Sequence, residues 1–105
     1  MQKVYIMSGA LHDFIMNQRR EAEEYSKQPG CFMGMMPHPD DKEYWSERVP
    51  TGTLQEYQRI ELEETAYYIT ADHTSKSYAR SLDFSNWSDE NINRHIDNIV
   101  ERNML

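Results

Sequence analysis

The sequence predicts an α+β fold, a small two-layer domain whose mostly antiparallel sheet carries two main helices on one face. Two long segments, one near each end, hold apolar residues at helical spacing. Between and before them, short β-branched and aromatic runs read as strands, and Ile60 and Leu62 alternate with Arg59, Glu61 and Glu63. Clusters of Gly, Pro, Asp and Ser punctuate these runs. The expected order is β-α-β-(α)-β-β-β-α, in one compact domain covering 1–105.

Lys3 to Met7 (KVYIM) reads as the first strand, ended by Ser8-Gly9. A helix is expected from Ala10 to Ser26, with Leu11, Phe14, Ile15, Ala22 and Tyr25 on one stripe. Ser8 suits its N-cap and Pro29-Gly30 its stop. Cys31 to Met36 (CFMGMM) is a short apolar run between turn signals, read as a strand. Pro39 followed by Asp40 and Asp41 opens a short helix over Asp40 to Arg48.

Thr53-Leu54-Gln55-Glu56 fits a capping box, which would start a helix at Leu54. The Ile60/Leu62 alternation favours instead a strand over Glu56 to Glu64. Two further strands are expected at Ala66 to Ala71 and Tyr78 to Phe84, joined by the polar turn Asp72 to Lys76. The closing helix follows Ser88 as N-cap, with Ile92, Ile96, Ile99, Val100 and Met104 as its stripe and Trp87 as a hydrophobic staple. The uncovered sheet face would then show Arg59, Glu61, Glu63, Tyr68, Thr70, Ser81 and Asp83.

With 38% hydrophobic residues and a mean hydropathy of −0.89, the core must rely on aromatic rings, among them seven Tyr and two Trp. The net charge of −7 is uneven, since residues 31–70 hold eight acids against three bases. Such a surface repels nucleic acid and anionic lipid and attracts basic proteins. Cys31 is the only cysteine, so no internal disulfide forms, and a reducing cytoplasm is the simplest compartment. The first residues are too short and polar a run for a signal peptide or membrane span.

Pro37-His38-Pro39-Asp40-Asp41 resembles the His-Pro-Asp-Asp motif of the zinc-dependent N-acetylglucosaminyl deacetylase family. The resemblance implies zinc ligation by His38 and Asp41 and a base at Asp40. It covers four residues, and Lys42 stands where that family usually has an acid. The preferred reading is a proline-shaped turn at the head of an acid-capped helix. Ser8-Gly9 lacks the companions of a phosphate loop, and His12-Asp13 lacks those of a metal site. Cys31 reads as an inert thiol, His95 as a boundary histidine, and the methionines at 33, 35 and 36 as core filler.

The acids remain, interleaved with aromatic residues as binding surfaces are. Glu61, Glu63, Glu64, Tyr57, Tyr68, Asp40, Asp41, Tyr44 and Trp45 are the expected partner-binding residues. The leading expectation is a non-enzymatic protein that engages a basic protein surface, with no direct nucleic-acid or membrane contact and no cofactor. A phage-type inhibitor filling a nucleic-acid-binding groove is one concrete form. The alternative is a homo-oligomeric small-ligand or nucleotide binder using Arg59 or Arg80, and a zinc hydrolase stands third.

Overall fold

A computed structural model describes residues 4–103, and among them there is no strand. Helix accounts for 69% of the chain, which overturns the expected α+β sheet fold. Five helices appear among the described residues: α1 (Gly9–Ser26), α2 (Lys42–Arg48), α3 (Leu54–His73), α4 (Lys76–Ser81) and α5 (Asp89–Asn103). A 3-10 turn, Phe84–Asn86, precedes α5. Lys3 and Met104, assigned above to a strand and a stripe, lie outside the described residues. The chain divides into two compact units, Met1–Tyr57 and Gln58–Leu105.

In the first unit, α1 starts where Ser8 accepts a hydrogen bond from the Leu11 amide at 3.1 Å. Satisfying one of the free N–H groups of a first turn fixes the start of the helix. Leu11, Ile15 and Ala22 are buried, but Tyr25 is exposed, so the dry stripe is narrower than expected. Gly30 leaves the helix with φ +75, a value that favours glycine. Cys31 to Met36 then forms no strand. It is an open loop in which Phe32, Met33 and Met35 are exposed rather than filling a core.

Helix α2 starts at Lys42 rather than Asp40, because Asp41 caps it by accepting from the Tyr44 amide. That places Trp45 inward, 1% exposed, with its indole N–H donating to the His38 carbonyl at 3.0 Å. Trp45 and Phe14 both lie against Tyr57, with ring centroids 6.0 and 5.4 Å away. Burying these rings together supplies the area that a hydrophilic composition otherwise lacks.

The largest correction concerns residues 53–71, where one helix replaces two expected strands. The capping signal decides the start: Thr53 Oγ1 accepts from the Glu56 amide at 3.1 Å, and Glu56 accepts from the Thr51 amide at 3.0 Å. Gln, Glu, Leu and Ala then favour helix over most of the segment. In the second unit the buried positions of α3 are Ala66 and Thr70, four residues apart, with Leu62 one turn before them half-buried on the same cluster, while the alternating Ile60 and Leu62 are both only half-buried.

Tyr78 to Phe84 is likewise no strand. Ser75 accepts from the Tyr78 amide and starts α4, and Asp83 caps the 3-10 turn through the Ser85 amide. Ala66, Phe84 and Ile92 form the second unit's buried cluster, with Leu62, Leu82, Trp87 and Ile96 packed on it. Helix α5 begins after Ser88, which accepts from the Asn91 amide. Its Ile92 and Ile99 are buried as its stripe requires.

Candidate binding surfaces

The nine residues expected to bind a partner fall in both units, five in Met1–Tyr57 and four in Gln58–Leu105. Trp45 and Tyr57 are buried and serve the core of the first unit. Asp41 is spent on the cap of α2, while Asp40 is exposed and Tyr44 is 40% exposed, edge-on to Trp45. On α3, Glu63 is held by Arg59 at 3.0 Å and Glu64 is half-buried. Glu61 and Tyr68 are exposed, Tyr68 by 62%.

Glu61 and Tyr68 lie seven residues apart, two turns along one side of α3. The same side carries Gln58, Thr65 and Asp72, all exposed. Tyr68 therefore stands with carboxylates about a turn away on both sides, at Glu64 and Asp72. Its ring is braced edge-on by Tyr67, centroids 5.3 Å apart. The one arginine of α3 is engaged elsewhere.

That residue, Arg59, binds Glu63, Asp89 and two backbone carbonyls. Its guanidinium donates to the Asp89 carboxylate at 2.5 Å, to the Phe84 carbonyl at 2.8 Å and to the Trp87 carbonyl at 2.6 Å. The rigid fork of an arginine can meet such a set; a lysine cannot. The Asp89 and Glu63 carboxylates hold its pKa above the ordinary value, against the opposing effect of burial. Arg59 thus ties the 3-10 turn and the start of α5 to α3.

Beyond that turn a shallow cleft of about 430 Å³ opens, lined by Asn86, Trp87, Asn91, Arg94, His95 and Asn98. Three carboxamides, an indole, a guanidinium and an imidazole line it, and no carboxylate does. Asn91, Arg94, His95 and Asn98 fall at i, i+3, i+4 and i+7, the spacing of one helix face. In the sequence these four do not stand out from an ordinary polar helix face. Arg94 pairs with Glu90 at 3.0 Å in full view of solvent, a contact worth little.

His95 has a defined tautomer. Thr70 Oγ1 must donate its single proton to the Ala66 carbonyl, 2.7 Å away. It can then only accept from His95, whose Nε2 lies 2.9 Å off. Nε2 therefore carries the proton, and Nδ1 is the ring's acceptor. Burial lowers the His95 pKa from 6.5, so the neutral ring is favoured against Phe84 and Trp87.

The His38 turn does not match the zinc reading. His38 Nδ1 accepts from the Asp40 amide at 3.0 Å, and the Asp41 carboxylate caps α2. Among the described residues no three His, Cys, Asp or Glu side chains are grouped so as to hold a metal. None of the described helices is long and apolar enough to cross a membrane. The chain matches no family model, no curated protein and no solved structure.

Proposed function

We propose that this chain is a non-enzymatic binding protein that lays the exposed side of α3 on a basic protein surface. The observation that carries the reading is Tyr68, 62% exposed on a helix side whose charged neighbours are Glu61, Glu64 and Asp72. An exposed ring among carboxylates supplies both parts of such an interface: apolar area at the centre and charge complementarity around it. A helix presenting its side to a groove is a common recognition mode. A groove that otherwise holds nucleic acid has the required positive lining, so an inhibitor of the phage type is the concrete form of this reading.

The test is capture of partners by the immobilised protein from a cell lysate at about 50 and 500 mM salt, where screening differs several-fold. A basic protein should be retained at low salt and released at high salt. Tyr68→Ala and the Glu61→Lys, Asp72→Lys double variant should each lose it. Equal retention at both salts, or by the double variant, removes the proposal.

The cleft beside α5 supports a second reading, a small-ligand site. Its single cation, its amides and the Trp87 ring suit a planar molecule bearing one anionic group, such as a nucleoside monophosphate. A saturating nucleoside monophosphate should raise the melting temperature of the wild type and not of Arg94→Ala. No shift in the wild type ends this reading.

A further inference from the structure

The groups that line the cleft beside α5 differ in how firmly their polarity is set. Arg94 and Trp87 can only donate, while the carboxamides of Asn86, Asn91 and Asn98 can turn to offer either a donor or an acceptor. An isolated neutral imidazole is free to place its proton on either nitrogen, but here the fold chooses. His95 Nε2–H is committed to Thr70, 2.9 Å away, because the Thr70 hydroxyl spends its own proton on the Ala66 carbonyl. Nδ1 is left with a bare lone pair. Outside the carboxamides, it is the one polar group of the lining that can only accept.

That lone pair is also open. His95 makes no other hydrogen bond among the described residues, yet none of their buried side-chain nitrogen or oxygen atoms lacks a partner. Nδ1 therefore reaches solvent, and the cleft is the open space that His95 lines. The ring is held in this pose, with the Phe84 and Trp87 centroids each 5.4 Å from its own. Burial lowers its pKa, which keeps the ring neutral and Nδ1 free of a proton.

We infer, building on the small-ligand reading of this cleft, that His95 sets its specificity: the site takes a planar nitrogen heterocycle that turns an N–H donor to His95 Nδ1. A ring laid on the Trp87 indole comes within reach of the imidazole, which stands at 80° to it. Arg94, the cation of the cleft, takes the anionic group. A ligand with an acceptor at this point sets lone pair against lone pair, and one with a C–H there strips water from Nδ1 without replacing its hydrogen bond. Sites that reject a ligand by leaving a polar group unpaired discriminate far better than those that lose an apolar contact.

Isothermal titration of the full chain at about pH 7.5, where an ordinary histidine is already neutral, tests the inference with two probes. Adenosine 5′-monophosphate and purine riboside 5′-monophosphate share the purine ring, the ribose and the phosphate, and only the first carries the exocyclic amine. The amine-bearing probe should bind about tenfold more tightly, the worth of one well-made hydrogen bond. In His95→Phe, which keeps an aromatic ring against Phe84 and Trp87, that ratio should fall to about one. If this variant lacks the helical circular dichroism of the wild type, His95→Leu takes its place. Equal affinity of the wild type for the two probes overturns the inference and leaves the small-ligand reading standing. A preference for the amine that survives the loss of His95 overturns it too. Binding of neither probe removes the inference and the small-ligand reading together.

Discussion

A single proton on Thr70 decides what His95 can be. Because Thr70 donates to Ala66, His95 must donate to Thr70, and its ring is held neutral between Phe84 and Trp87. Burial places its folded pKa below the unfolded value of 6.5. The sign follows from linkage: the unfolded chain takes up the proton first, so stability is full above pH 6.5 and falls as the pH drops through the folded value. Urea denaturation midpoints should therefore decline on acidification below pH 6.5, and His95→Gln should remove that part of the decline. Asp83, whose carboxylate is held below 3.8 by the Ser85 hydroxyl and amide, titrates in a lower and separate window. A midpoint that is flat in the wild type between pH 7 and 5 contradicts this account.

At the scale of the element, the two positive-φ glycines separate two kinds of strain. Gly30 has φ +75 with open space around it, so Gly30→Ala should cost only the left-handed penalty, about 1–2 kcal/mol. Gly52 has φ +70 and the Ile6 backbone against it, so Gly52→Ala adds a steric clash and should cost more than about 3 kcal/mol. Urea denaturation of both variants measures the difference; equal losses would mean that the N-terminal segment is not docked. The helical elements were readable where a cap and a stripe agreed, as with Ser8 before Leu11 and Ile15, or Ser88 before Ile92 and Ile99. They were unreadable where small or polar residues make the contact. Ala66 and Thr70 carry the dry side of α3, yet neither counts as strongly apolar, so the chance alternation of Ile60 and Leu62 spoke louder than the Thr53–Glu56 cap. The surface was less legible still. Nothing local in the sequence distinguishes Tyr68, which is exposed, from Tyr57, which is core, until the helical phase of α3 is known.

For the molecule as a whole, charge governs association. The proposed contact with a basic partner through α3 would be an attraction between unlike charges, which added salt weakens. The uneven charge has a structural side too. The region with five excess acids, residues 31–70, also supplies Trp45 and Tyr57 to the first core and Leu62 and Ala66 to the second. One stretch thus provides both the field and much of the packing.

The docking of the N-terminal segment also has a kinetic consequence. Tyr5 reaches Val49 across 44 residues, whereas the Arg59 to Asp89 bond spans 30 and helical contacts only four. Closing a longer loop costs more chain entropy, about 0.6 kcal/mol per doubling, and non-local contacts reward it last. Helices α1 and α2 therefore have time to form before residues 4–8 find their seat at Val49 and Gly52. Folding of the first unit thus ends with a contact that no helix supplies.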